Sequence, residues 1–278
     1  MHDLWLVPLG FAVGAFGTLI GAGGGFVLVP LLILIYPDES PDILTSTTLA
    51  VVFFNALSGS LAYARMRRID YKSGLLFSIA SVPGAVLGAF TTSFLPRNIF
   101  DGIFGVLLII AAIYLLVTTR PSRGAVIHRT GTESQPNSAR YLTRSFTDRR
   151  GESYTYSFNP VLGIVLSFFV GFLSSLLGIG GGIIHVPLLI RLLDFPVHVA
   201  TATSHFILAI MAFAGTAVHV ATGTFSKAIE RVVLLSLGVI PGAQLGAALS
   251  HHVAGAWILR SLGIALGFAG GRILLLAF

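Results

Sequence analysis

Few polar side chains stand inside the long apolar stretches of this sequence, and those few are the candidates for chemistry. Thr45, Ser46, Thr47, Thr48, Asn55 and Ser58 fall in one stretch, and Thr201, Thr203, Ser204, His205, Thr216 and His219 in another. His185 and Gln244 occupy two more. Hydroxyls and amides donate hydrogen bonds to an anion without bringing charge, and a neutral imidazole can take up a proton near neutral pH. A polar group inside an apolar span is costly and defaults to a functional candidate. Thr48 and Asn55, seven apart, share one helix face. Bland roles compete throughout. His205 serves either coupling and anion contact or a structural hydrogen bond, and His185 faces either a site or another helix. His219, near a segment end, reads as structural. Thr47, Thr48, Thr203 and Ser204 either reach a ligand or bond back to their own i−4 carbonyls.

The second feature with chemical content is backbone. Gly21, Gly23, Gly24 and Gly25 interrupt one apolar segment, and Gly178, Gly180, Gly181 and Gly182 interrupt another. Each glycine costs a helix about 1 kcal/mol relative to alanine. The clusters are expected to split each segment into two half-helices, with Pro30 and Pro187 early in the second half. The amides around Gly25–Phe26 and Gly182–Ile183 would then point their partial positive charge at an anion. Gly14, Gly17, Gly59, Gly88, Gly171 and Gly246 read instead as close-packing positions.

These residues need elements to hold them, and composition says which. Of 278 residues 55% are hydrophobic and 10% charged, against roughly 25% charged in an ordinary soluble domain. A soluble fold is excluded. With no cysteine, disulfides, thiolate metal sites and cysteine nucleophiles are excluded too. Apolar segments long enough for a bilayer, about 20 residues, lie near 4–36, 43–64, 73–95, 98–119, 160–193, 199–221, 231–250 and 253–277. The expected fold is an all-α polytopic membrane protein of about eight segments, the first and fifth broken by glycine. The opening MHDLWLVPLG has no basic signal-peptide region and reads as the start of a retained helix.

Charge sets the sides. The formal charge is +6, but seven of the 17 basic residues lie between Arg120 and Arg150 and four more between Arg65 and Lys72. Basic loops between apolar runs mark the cytoplasmic face rather than a nucleic-acid groove, and the acidic loop 36–42 belongs outside. Residues 121–159, rich in Ser, Thr, Arg and Gly, read as a flexible basic linker. Arg260 stands well inside an apolar segment, where it either pairs with Asp101 or snorkels to the interface.

The chain contains itself twice. GAGGGFVLVPLLI (21–33) recurs as GIGGGIIHVPLLI (178–190), SVPGAVLGA (81–89) as VIPGAQLGA (239–247), and TSTT (45–48) sits against ATSH (202–205). The constant order and spacing give two halves, 1–120 and 160–278, around the linker 121–159. His205 replaces Thr48, His185 replaces Leu28 and Gln244 replaces Val86, so the second half is the more polar. If each long segment crosses the bilayer, the halves run parallel and both termini lie inside. If each folds back as a re-entrant hairpin, the halves are inverted and both termini lie outside. Lys227 and Arg231 with Glu230 favour the first arrangement, Arg191 the second.

The doubled GxGGGxxxxPLLI element, the PGAxLGA element and the polar linker together resemble the TauE/SafE sulfite exporter family of membrane permeases. The resemblance covers nearly the whole chain apart from 120–159. It implies transport of sulfite, a short organosulfonate or a related sulfur anion with proton coupling, in a bacterial inner membrane. Gly23, Gly24, Gly25 and Pro30 match the first family motif, and Gly180, Gly181, Gly182 and Pro187 the second. His185, His205 and Gln244 rest on their own chemistry alone.

The expected function is therefore a proton-coupled exporter of a small sulfur-containing anion, not an enzyme, needing no cofactor or resident metal. The substrate-binding set is Gly23, Gly24, Gly25, Phe26, Thr47, Thr48, Asn55, Gly180, Gly181, Gly182, Ile183, Thr203, Ser204, His205 and Gln244. His205 and His185 are the coupling candidates. The expected partners are the anion, protons and the lipid bilayer, with the chain a monomer or homodimer and no nucleic acid bound. The alternatives are a permease or channel for another small anion, or a metal ion transporter, which would need carboxylates beside the histidines.

Overall fold

A computed structural model describes residues 3–118, 141–149, 151–250 and 256–277. The side chain of Arg260 and residues 119–140 of the linker lie outside the described residues. Among the described residues there are ten α-helices: α1 (Leu6–Ile20), α2 (Gly25–Ile35), α3 (Pro41–Arg65), α4 (Tyr71–Thr92), α5 (Arg97–Thr118), α6 (Pro160–Leu177), α7 (Gly182–Arg191), α8 (Val197–Ala221), α9 (Ile229–Leu249) and α10 (Ala256–Ala277). Among the described residues, α3, α4, α5, α6, α8 and α9 are long and apolar enough to cross a membrane. α1, α2 and α7 are 15, 11 and 10 residues long, short of the roughly 20 a span needs.

The first and fifth apolar segments break because their glycines take backbone angles that a Cβ disfavours. Gly21, Gly23 and Gly24 have φ of 86°, 77° and 78°, and Gly178, Gly180 and Gly181 have 69°, 77° and 67°. In these left-handed conformations the chain closes one helix and opens the next within four residues. Gly24 lies against the backbone of Val13, so the break turns back onto the last turns of α1.

Packing exchanges the halves. α1 lies along α9 and α6 lies along α4, while α3 pairs with α8 and α5 with α10. The α1–α9 and α4–α6 contacts are backbone-close: a Cβ on Gly14 or Gly246 would strike Val239 or Ala15, and one on Gly88 or Gly171 would strike Phe172 or Ser81. Small residues that bring helix backbones together are the usual source of association where lipid removes the hydrophobic drive.

α3 and α8 run antiparallel. Thr45, at the start of α3, is 3.4 Å from His219 at the end of α8. At the opposite end the Asp70 amide, just past α3, donates to Thr203 near the start of α8 (3.1 Å). One end of the bundle gathers the acidic loop 36–42 with the starts of α5 and α9. There Arg231 donates to Glu39 (2.7 Å) and stacks 3.9 Å over Tyr36, and Arg97 donates to the Glu39 carbonyl. Asp101 pairs with Arg97 at 2.8 Å, a local alternative to Arg260.

The other end carries an element the linker was not expected to contain. β1 (Leu142–Thr147) and β2 (Ser153–Phe158) form an antiparallel hairpin, with Leu142 opposite Phe158 and Thr147 opposite Ser153. The alternation in LTRSFT and SYTYSF is its cause. One face presents the hydroxyl pairs Thr143–Ser157, Ser145–Thr155 and Thr147–Ser153. The other packs Tyr156 and Phe158 on Phe77 and Phe195. Tyr156 donates to Asp70 (2.7 Å), and burial together with that carboxylate pushes the phenol well above its usual pKa. The flexible reading of 121–159 is therefore corrected for 142–158: aromatic residues on one face provide the apolar surface that a disordered linker lacks.

Candidate functional site

The two glycine breaks touch. A Cβ on Gly25 would sit 2.6 Å from the Ile179 carbonyl oxygen, and one on Gly182 would sit 2.6 Å from that of Gly21. Three glycines of each break are needed for their φ and the fourth for this approach. In α2 the first amides to join the helix ladder are Val27 and Leu28, both donating to the Gly24 carbonyl. In α7 they are Ile184 and His185, donating to Gly181. The amides of Gly25, Phe26 and Ile183 precede these ladders and carry the positive end of each half-helix dipole. Between the breaks stand Val52 and Leu208, both fully buried, with Val52 against Gly23 and Gly180 and Leu208 against Gly23.

Polar groups ring this contact unevenly. Beside the first break, Thr18 donates to the Asn55 carbonyl oxygen (3.0 Å), and His205 Nε2 lies 3.3 Å from the same Thr18 hydroxyl. Tyr63 meets the imidazole edge-on, 5.5 Å between centroids, and donates to the Thr18 carbonyl at 2.9 Å. Gly59 makes room for the ring: a Cβ there would lie 2.6 Å from it. Beside the second break, Thr48 faces Gly178 and Ser174 faces Gly181. Asn55 Nδ2 and the hydroxyls of Ser46, Ser174, Ser175 and Ser204 are buried with no hydrogen-bond partner among the described residues. Buried donors and acceptors of this kind cost about 1–3 kcal/mol each when left unpaired. Together with the half-helix amides, they offer donors to a small oxyanion.

Of the expected site residues, the structure brings together Gly23, Gly24, Gly25, Phe26, Asn55, Gly180, Gly181, Gly182, Ile183 and His205. Others stand elsewhere. Thr203 accepts from the Asp70 amide beneath the hairpin, one residue of helical rotation, about 100°, from Ser204. Gln244 donates to the Ser58 carbonyl (2.7 Å) and hydroxyl (2.9 Å), toward the hairpin end. Thr47 bonds back to the carbonyl of Ile43 (2.8 Å), and Thr48, although it stands beside Gly178, bonds back to that of Leu44 (3.0 Å), the local alternative for each. His185 is buried against Ser167 at 3.3 Å, apart from His205. Among the described residues no three His, Cys, Asp or Glu side chains converge as a metal site would require.

Sequence reasoning passed over Thr18, Tyr63, Ser174 and Ser175. Thr18 and Ser175 occupy the same repeat position, one turn before each glycine cluster, and that register was the available signal.

The family model described as Sulfite exporter TauE/SafE matches residues 6–273. A Bacillus subtilis protein named "Probable membrane transporter protein YunE" is 35% identical, with 99% of this chain and 98% of that protein covered. A protein of Methanocaldococcus jannaschii, also named a probable membrane transporter, is 25% identical over 97% of this chain and 94% of its own length. A second B. subtilis relative, "Probable membrane transporter protein YdhB", is 26% identical over 85% and 86%. No solved structure matches the chain. The chain, with its doubled glycine break and its membrane-spanning helices, belongs to the TauE/SafE sulfite exporter family of multi-pass membrane transporters.

Proposed function

We propose that this transporter exports a small sulfur-containing anion, sulfite or a short organosulfonate, from the cytoplasm with proton coupling. The carrying observation is the pair of half-helix starts in contact beside the buried Thr18–Asn55–His205 network. Amides, hydroxyls and one imidazole suit a small tetrahedral or pyramidal oxyanion, and among the described residues the buried carboxylates, Asp70, Asp101 and Asp148, are not part of this network. His205 is the proton acceptor in this reading, because its imidazole, the side chain suited to take up a proton near neutral pH, is joined to that network through Thr18.

The same reading makes α1–α2 and α6–α7 re-entrant hairpins and the halves inverted. The antiparallel α3 and α8 support it, as does the Arg231–Glu39 contact, which joins the start of α9 to the acidic outer loop. The broken full crossing, with parallel halves, loses its support from Arg231, whose charge is taken up by Glu39 and Tyr36. Impermeant labelling of intact cells is expected to reach tags at Met1 and Phe278 from outside. Labelling of either only after permeabilisation would return the parallel arrangement.

Counterflow of labelled sulfite, taurine and sulfoacetate in proteoliposomes, with and without a pH gradient, tests the substrate. Saturable exchange of at least one of them, accelerated by the gradient, is expected. Exchange of none would end the sulfur-anion assignment.

A further inference from the structure

At the hairpin end a cavity of about 510 Å³ lies between the end of α3, the β1–β2 turn and the second half of α9. Its lining carries three guanidinium groups, Arg65, Arg68 and Arg149, against one carboxylate, Asp148. Arg68 and Asp148 are buried and pair at 3.5 Å. That pair, with the Arg149 amide donating to the Met66 carbonyl (3.2 Å), fixes the turn over the end of α3. Arg65 and Arg149 are both exposed, and neither has a carboxylate partner among the described residues. Arg65 reaches only Gln244, Nη1 to Oε1 at 3.4 Å. Two uncompensated guanidinium groups make a recognition set for an oxyanion, since their planar donor forks match its oxygens.

The cavity also shares a helix face with residues beside the glycine breaks. Gln244 spends its amide nitrogen on Ser58, and Ser58 in turn donates to the Ile240 carbonyl (2.8 Å), tying α9 to α3. Asn55, Ser58, Ala62 and Arg65 follow one another at spacings of three and four along α3, so one helix face runs from the Thr18–Asn55–His205 network to the cavity. The ten residues between Asn55 and Arg65 span about 15 Å.

We propose that this cavity is a second anion site, an inner mouth where Arg65, positioned by Gln244, and Arg149 hold a small oxyanion before it moves along α3 to Asn55. The inference rests on the anion-transport reading above, and it gives the hairpin a function: Arg149 rides on the β1–β2 turn, so the linker completes the mouth. The ligand chemistry is an oxyanion group, which a free solute or a lipid headgroup can supply. The proposal commits to the solute.

The test uses the full chain in nanodiscs of phosphatidylcholine, with methanesulfonate as a probe inert toward arginine reagents. Phenylglyoxal modification of Arg149, read by peptide mass spectrometry, is expected to slow about 5-fold or more with saturating methanesulfonate. The protection is expected to vanish in Arg65→Gln. Absence of protection in the wild type overturns the site. So does protection that appears only when phosphatidylglycerol is added and that methanesulfonate does not increase, because the cavity then holds a headgroup. In sided proteoliposomes, Arg65→Gln is expected to raise the half-saturating sulfite concentration at the hairpin face about 10-fold, with the opposite face unchanged. An equal rise at both faces also overturns it, since Arg65 would then act through the fold. If sulfite is not transported but Arg149 is still protected, the transport reading falls and the inner site stands.

Discussion

The two glycine breaks share a backbone and differ in what surrounds them. Each closes a helix and reopens another through three glycines at positive φ, and each uses its fourth glycine to touch the other break. Around the first, Thr18, Asn55, His205 and Tyr63 form one connected network. Around the second, Thr48 is turned back on its own helix while Ser174 and Ser175 have no partner among the described residues. The two breaks thus share the geometry that presents half-helix amides and differ in the side chains around it. His205 is joined to the network beside the first break, whereas His185, just past the second, is turned to Ser167.

The largest expected effect tests what the breaks share. An added Cβ at Gly25 or Gly182 meets only opposing main chain at 2.5–2.7 Å, apart from Val52 near Gly25. Main chain cannot move aside as a flexible side chain can. Gly25→Ala and Gly182→Ala are each expected to cost about 1–3 kcal/mol of stability, the usual range for overpacking, and to abolish counterflow. The checks are the thermal midpoint of the detergent-purified protein and exchange in proteoliposomes. Loss in one variant with normal transport in the other would mean the breaks are not mechanical equivalents.

The next test concerns what they do not share. His205→Gln keeps a hydrogen-bonding group beside Thr18 but removes the titratable one, whereas Thr48→Val alters the matching repeat position without touching a titratable group. The expected result is a pH dependence of exchange that disappears in His205→Gln, with its rate reduced about 100-fold or more as for loss of a proton-transfer group. Thr48→Val is expected to keep the pH dependence. A pH profile unchanged in His205→Gln would take coupling away from the first break and leave His185, buried against Ser167, as the remaining candidate.

Those expectations also mark where the sequence was legible. The apolar segments and the breaks could be read directly, because span length and runs of glycine are local properties. His205 and Asn55 were conspicuous as polar groups inside spans, and the structure joins them through one hydroxyl. Their shared partner Thr18 was not, since it sits in α1 and meets them only after the chain folds back at Gly21–Gly24. Gln244 and Thr203 were placed in the central site because depth in a segment says little about which neighbour a helix face meets; packing against Ser58 and Asp70 decides that. The hairpin was missed for a different reason. Its alternation is carried by hydroxyls against aromatics rather than by charge against aliphatics, and the surrounding basic residues masked it.

The smallest expected effect distinguishes a connected network from isolated hydroxyls. Thr18→Val is nearly isosteric but leaves the Asn55 carbonyl oxygen and His205 Nε2 without their common partner in a fully buried setting. Interhelical hydrogen bonds in membranes are worth about 0.6 kcal/mol on average and up to about 1.7. A network that shares one hydroxyl between two partners belongs toward the upper end of that range. Ser175→Ala, at the matching repeat position, removes a hydroxyl with no partner among the described residues and is expected to be neutral or slightly stabilising. Thermal midpoints of the two variants, measured beside the double variant, read the difference directly. Equal losses would mean that Ser175 is bonded in the membrane as firmly as Thr18, and the asymmetry between the breaks would reduce to the histidine alone.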